Sequence, residues 1–239
     1  MSVVSQVRQE LQENIGSNTR EYSSSFFKEE IKFYGVKVST ITKISKKFFQ
    51  QIEHLRKDTI FGYCEELLKS GYIEEAFIAY KWSDYLKERY EPEDFVVFER
   101  WLNSYVSNWA ECDTICNHTL GSFVEKYPQY LENLKKWTQS KNRWVKRGAA
   151  TTLVLPARKG LFLETVFEIA DRLLLDKDDL VQKGYGWMLK EASKQHQKQV
   201  FNYVIKNKKK MPRTALRYAI EKMPQNLRKE AMKKVVADS

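Results

Sequence analysis

Ser39-Thr40-Ile41-Thr42-Lys43-Ile44-Ser45-Lys46-Lys47-Phe48-Phe49-Gln50-Gln51-Ile52 places its apolar side chains at positions 41, 44, 48, 49 and 52. Steps of three and four residues line one face of an α-helix, because successive side chains turn by about 100°. Ser39-Thr40 supplies the hydroxyls that commonly open a helix. The same period runs outward from this stretch. Thr59 to Leu68 reads as a helix closed by Gly71, and Ile73 to Tyr90 as a long helix stopped by Pro92. Upstream, Phe26, Phe27, Ile31 and Phe33-Tyr34 precede Gly35, which reads as a helix C-cap. Clean period-2 runs bounded by turn residues are absent, so an all-α protein is predicted. Break signals recur every ~12–20 residues, which suggests paired antiparallel helices.

The second half carries an internal repeat. Trp101 to Phe123, Trp137 to Leu155, Leu173 to Ala192 and Val204 to Met223 each read as a helix end, a polar turn and a second helix. Aligned on the second helices, Trp109, Trp144, Val181 and Pro212 fall in register, at intervals of 35, 37 and 31 residues. Armadillo/HEAT repeats run ~40–47 residues and TPR repeats ~34. The expected architecture is one HEAT-like or armadillo-type α-solenoid domain over residues 1–239, with a concave basic groove. Asp113 lies four residues past its helix start, Arg147 three, Trp187 six and Arg217 five. The four are expected on roughly one face of successive repeats.

Composition bounds the function. The chain has 239 residues, 42% hydrophobic and 30% charged, with few Pro and Gly, as ordinary globular proteins do. No apolar run approaches the ~18 residues of a membrane span. The N-terminus turns polar too soon for a signal peptide. Cys64, Cys112 and Cys116 do not make a disulfide framework, which favours a reducing, cytoplasmic compartment. Net charge is +10, and it is clustered. From Lys194 onward 13 Lys/Arg face only Glu221, Glu230 and Asp238, so the last fifth of the chain carries the whole excess. A clustered basic surface is the footprint of a nucleic acid or an anionic membrane, or else a solubilising face.

Within Asn108-Trp109-Ala110-Glu111-Cys112-Asp113-Thr114-Ile115, Trp109 and Asp113 stand at i and i+4. On a helix a carboxylate and an indole would project side by side, an arrangement suited to stabilising a developing positive charge near a polyanion. The plainer alternatives are a solvated surface aspartate and tryptophans buried as repeat core. Arg147 could simply pair with Glu111 or Asp113. Cys112, Cys116 and His118 form Cys-x₃-Cys-x-His, which lacks the usual zinc spacing.

Three ordered segments resemble the AlkD-like alkylpurine DNA glycosylases, bacterial-type repair enzymes built from HEAT-like repeats. They are Ser107 to Ile115, Trp144-Val145-Lys146-Arg147-Gly148-Ala149-Ala150, and Gly184-Tyr185-Gly186-Trp187-Met188-Leu189-Lys190-Glu191. Gly35-Val36-Lys37 resembles the family's N-terminal turn, and the resemblance covers nearly the whole chain. It implies that Asp113 is the catalytic carboxylate, that Trp109 and Trp187 flank the lesion's deoxyribose, and that Arg147 holds a backbone phosphate. Lys146, Arg143, Lys183, Arg213, Arg217 and Lys37 are further candidate DNA contacts. Phe26 stands where the family often has Tyr and is a candidate cleft aromatic. Asn108 replaces a second tryptophan of some relatives, which is expected to alter the cleft rim.

These residue types suit the chemistry. A purine alkylated at N3 or N7 is cationic and already a good leaving group. Its departure leaves an oxocarbenium-like sugar. A fixed carboxylate stabilises that cation and orients water. Indole faces contribute roughly 0.5–2 kcal/mol each, and arginine grips phosphate without reading sequence. The resemblance also implies that the lesion stays in or near the stack rather than being flipped. The expected activity is hydrolysis of the N-glycosidic bond of 3-methyladenine and 7-methylguanine in double-stranded DNA by a monomer, without metal or organic cofactor. The rival is a non-catalytic solenoid that binds DNA structure or a protein partner.

Overall fold

A computed structural model describes residues 1–16 and 27–233. Helix dominates these residues and no β-strand occurs among them; Lys32 and Tyr72 form an isolated bridge. No described helix is long and apolar enough to cross a membrane. The chain divides into two compact units, Met1–Phe123 and Val124–Ser239.

The first unit contains α1 (Val3–Glu13), α2 (Val38–Ile52), α3 (Lys57–Leu68), α4 (Ile73–Tyr85), α5 (Asp94–Ser104) and α6 (Trp109–Thr114). The chain continues from α6 through a π-helical stretch, Ile115–Leu120, into α7 (Gly121–Lys126). Helix α2 behaves as its period predicts: Ile41, Ile44, Phe48, Phe49 and Ile52 are all buried. It starts one residue before Ser39, on Lys37, without a side-chain cap.

Two expectations in this unit need correction. Phe27 to Lys37 is not helical. Glu74, in the acidic first turn of α4 and only 3% exposed, takes over the local backbone. Its carboxylate accepts the N–H groups of Tyr34, Gly35 and Val36, which wraps the segment around one side chain. Gly35 has φ of 95°, so the left-handed conformation was read correctly but in the wrong context: it makes a turn, not a helix cap. Next door, Glu75 accepts from Arg8 Nε at 3.0 Å and Tyr34 Oη at 2.7 Å. Helix α4, expected to reach Tyr90, ends at Tyr85 and gives way to a 3-10 turn, Lys87–Arg89. The buried Tyr90 hydroxyl donates to the Ser83 carbonyl at 2.8 Å and so occupies an acceptor of the last helical turn.

Aromatic side chains fill the core of this unit. Phe61, Tyr90, Phe95, Phe98, Trp101 and Phe123 form one cluster of edge-on and tilted rings, and Trp82 donates from Nε1 to the Ser45 carbonyl at 2.9 Å. Edge-to-face pairs add roughly 0.5–1.5 kcal/mol beyond area burial.

The second unit contains α8 (Leu131–Trp137), α9 (Arg143–Thr151), α10 (Val154–Arg158), α11 (Leu163–Leu173), α12 (Asp179–Ala192), α13 (Gln197–Asn207), α14 (Arg213–Ile220) and α15 (Gln225–Met232). The predicted starts at Trp144, Val181 and Pro212 fall within two residues of the observed ones, and Trp109 is the first residue of α6. Capping explains the recurrence. Asn142 and Asp178 each accept a backbone N–H two residues on, and Pro212 precedes α14. Helix α12 is the centre of this unit and packs on α9, α10, α11 and α14.

Candidate active site

Helix α6 presents Trp109 and Asp113, and a buried polar cap fixes where it begins. Asn108 is fully buried, and its Oδ1 accepts the N–H groups of Ala110 at 3.1 Å and Glu111 at 3.0 Å. Glu111 returns the contact: Oε2 accepts the Ser107 N–H at 2.8 Å and the Ser107 hydroxyl at 3.2 Å. This is a reciprocal cap of the capping-box kind. Burial raises the Glu111 carboxyl above its ordinary pKa, although the donors on Ser107 and Asn108 work against it. Asn108 therefore anchors the helix from inside. The Asn-x-x-Glu spacing was visible in the sequence; it carried no weight beside the indole and the carboxylate.

Asp113 and Trp109 are both half-buried on this short helix. Thr114 Oγ1 donates back to the Ala110 carbonyl at 2.7 Å, and the wider π turns begin at the next residue. The π stretch is seated on α4 through Ser83 and Thr119, whose hydroxyl oxygens lie 2.6 Å apart. Such turns shift the register of everything downstream and often occur at functional sites.

Trp109 stacks on Phe27, with ring centroids 5.6 Å apart and planes at 19°. Together they wall a cavity of about 460 Å³ within the first unit, also lined by Phe33, Phe77, Asp84 and Ala110. Asp113 is not one of its lining residues. The aromatic beside Trp109 is thus Phe27. Phe26, the candidate cleft aromatic, lies outside the described residues. Lys37 is exposed at the N-terminus of α2.

The other candidates belong to the second unit. Arg147 is only 5% exposed and donates from Nη1 to the Leu180 carbonyl, near the start of α12. Gly184 leaves it room: a Cβ there would lie 3.3 Å from Arg147 Cγ. Trp187 is half-buried, and its Nε1 donates to Glu191 Oε1 at 3.3 Å. Glu191, 4% exposed in its side chain, also takes Arg158 at 2.7 Å and Lys194 at 2.6 Å. Burial alone would raise the Glu191 carboxyl, but these two cations outweigh it and hold it below its ordinary pKa. Glu191 as the seat of Trp187 was missed, although the i, i+4 spacing was present.

The candidate phosphate contacts separate by environment. Arg143 pairs with Asp178 at 2.7 Å, Lys146 with Asp176 at 2.6 Å and Lys183 with Asp179 at 2.6 Å. Arg213 and Arg217 are exposed. Arg217 shares a groove with Arg228 and Lys229. Arg147, Trp187 and Arg217 meet different environments in this unit: one is buried, one half-buried and one exposed. Around a helix, offsets of three and six residues lie about 60° apart, whereas five lies about 100–160° from either, so Arg217 could not share a face with the other two.

Three solved structures are similar in fold. A predicted DNA alkylation repair enzyme from Enterococcus faecalis has a TM-score of 0.78 at 17% identity, over 88% of this chain and 97% of that one. Smu.31 from Streptococcus mutans UA159 has a TM-score of 0.56 at 20% identity, over 83% and 98%. The alkylpurine DNA glycosylase AlkC of Pseudomonas fluorescens, bound to DNA containing an abasic site analog, has a TM-score of 0.50 at 14% identity, over 92% and 61%. No curated protein matches in sequence. The family model for DNA alkylation repair enzymes matches residues 7–223, which takes in both units and every candidate residue named above, and the chain therefore belongs to the DNA alkylation repair enzyme family.

Proposed function

We propose that the protein is a DNA glycosylase that hydrolyses the N-glycosidic bond of cationic alkylated purines, 3-methyladenine and 7-methylguanine, in duplex DNA. The observation that carries this reading is the pair on α6. A half-exposed carboxylate stands one helical turn from an indole, on a helix start held by the buried Asn108–Glu111 cap, in a chain of the DNA alkylation repair family. Asp113 stabilises the oxocarbenium-like sugar and orients the attacking water. Trp109, and Trp187 held by Glu191, contact the deoxyribose.

The cations act on the backbone. Arg213 and Arg217 are exposed and ready to meet phosphate. Arg143, Lys146 and Lys183 would share themselves between phosphate and Asp178, Asp176 and Asp179. Arg147 contributes from a fixed orientation, and Lys37 is an exposed contact of the first unit. The bond that breaks joins C1′ to a base that is already positively charged, so no general acid of high strength is needed.

The test is release of 7-methylguanine from methylated duplex DNA. Wild type should release the base and Asp113→Asn should not, with DNA affinity kept. Equal release by both would remove Asp113 from catalysis. Binding to DNA without release by wild type would make the protein a binding module.

A further inference from the structure

Four of the cations assigned above to the DNA backbone meet one short turn, Asp176 to Leu180, which leads into α12. Lys146 donates to Asp176 Oδ2 at 2.6 Å. Arg143 brings both Nε and Nη2 to Asp178 Oδ2, each at 2.7 Å. Arg147 donates to the Leu180 carbonyl. Lys183 pairs with Asp179 at 2.6 Å, as its i, i+4 neighbour on α12. Arg143, Lys146 and Arg147 stand at i, i+3 and i+4 of α9 and so share one face of that helix. Lys177, the turn's own cation, is exposed. The two aspartates that hold α9 are fixed in place. Asp176 Oδ1 accepts the Asp178 N–H at 2.8 Å, and Asp178 Oδ1 accepts the Leu180 N–H at 2.9 Å. Each carboxylate thus builds the turn with one oxygen and holds a cation with the other. Their side chains are 14% and 16% exposed, so these pairs are better shielded from water than the Arg56–Asp58 pair, at 85% and 74%.

We propose that the Asp176–Leu180 turn is an internal competitor of DNA: Asp176 and Asp178 occupy Lys146 and Arg143 in place of backbone phosphates and must yield them when duplex DNA binds. Donors that fit a carboxylate oxygen fit a phosphate oxygen equally well. Exchange has an electrostatic consequence. DNA sheds counterions when a protein cation neutralises a phosphate. Here each aspartate that gives up its cation takes one from solution, which offsets the release. The turn therefore weakens binding to duplex and flattens its dependence on salt. Asp179 contributes less, because its pair with Lys183 is the more exposed one. The inference rests on the DNA contacts of the proposed function and is independent of base release.

The experiment titrates unmodified, fluorescently labelled duplex DNA with the whole protein at several salt concentrations, read by anisotropy. Asparagine is the chosen replacement, because its oxygen still accepts the Asp178 and Leu180 N–H groups while the charge is gone. Asp176→Asn/Asp178→Asn should bind duplex more tightly than wild type at low salt, with the slope of log K against log salt steeper by up to ~1.8, from two phosphates at ~0.9 each. Its advantage should then shrink about tenfold over a fourfold rise in salt. Asp171→Asn is the control for net charge: Asp171 lies outside the turn and accepts from the Tyr203 hydroxyl at 2.8 Å. It should leave the slope unchanged. Adding Lys146→Gln to Asp176→Asn should cancel the gain of that substitution. If the double variant melts lower than wild type, Asp176→Asn alone carries the comparison, with a slope change of ~0.9. An unaltered slope, weaker binding with an unchanged melting curve, an equal gain from Asp171→Asn, a gain that survives Lys146→Gln, or no binding by any of the proteins would each overturn the proposal. Base release is scored separately on methylated duplex. A steeper slope without release would refute the glycosylase and leave the competitor standing; release with an unaltered slope would do the reverse.

Discussion

Gly186→Ala tests the packing that seats Trp187. The added Cβ would lie 2.7 Å from Tyr218 Cβ, 2.8 Å from the Ala215 carbonyl oxygen and 3.1 Å from Ala215 Cα. Two of these atoms are backbone of α14, so no side-chain rotation relieves them. Reaching ordinary contact requires α12 and α14 to part by about 0.7 Å, and overpacking of this kind costs about 1–3 kcal/mol. Alanine recovers up to about 1 kcal/mol as a better helix former than glycine. With two backbone collisions the strain belongs at the upper end, which leaves a net loss of about 2 kcal/mol. Gly62→Ala is the matched control: Gly62 sits exposed within α3, with nothing within 4 Å of its added Cβ. It should gain about 0.5–1 kcal/mol. Urea denaturation followed by circular dichroism reads both. At about 2–4 °C per kcal/mol for a chain of this size, melting should fall by roughly 4–8 °C in one variant and rise slightly in the other. Equal or greater stability of Gly186→Ala would show that α12 and α14 do not approach as described.

Other outcomes follow from named contacts. Asn108→Ala should cost about 1–2 kcal/mol, because two N–H groups of α6 lose their acceptor in a buried place; urea midpoints measure it. Lys57→Ala should cost about 3 kcal/mol by leaving the buried Asp94 carboxylate without its 2.8 Å partner, whereas a surface pair such as Arg56–Asp58 should cost almost nothing. Glu111 should make the protein less stable as pH rises. Its folded-state pKa is raised, so the folded state holds the proton more tightly than the unfolded chain, and stability falls from the ordinary carboxylate range up through the raised value. Glu111→Gln should flatten that fall, and an unchanged slope would refute the assignment. Arg217→Ala should reduce the salt slope of DNA binding by ~0.9 without changing sequence preference, as titrations at several salt concentrations would show.

The helical class, most of the boundaries and the recurrence of helix starts were legible because they depend on local rules: a 3.6-residue period, cap residues and proline. Asn142, Asp178 and Pro212 act within their own turn of chain, so the sequence by itself determined where those helices begin. Asp113 and Trp109 stood out because i and i+4 are neighbours on any helix. What tertiary structure decided is the environment of each group. Nothing local indicates that Glu74 would unwind Phe27–Lys37 into a turn, since its partners lie about forty residues earlier. Nor does residue type tell Arg147, buried against Leu180, from Arg217, exposed on α14. Both are arginines on amphipathic helices, and their burial depends on which helix packs beside them. The pairing of Arg143, Lys146 and Lys183 with aspartates, and the cavity beside Trp109, likewise come from separate stretches meeting in space. Hydrogen bonds along the chain are set by spacing, whereas desolvation and ion pairing depend on what a fold brings close, and one strand of sequence does not record that distance.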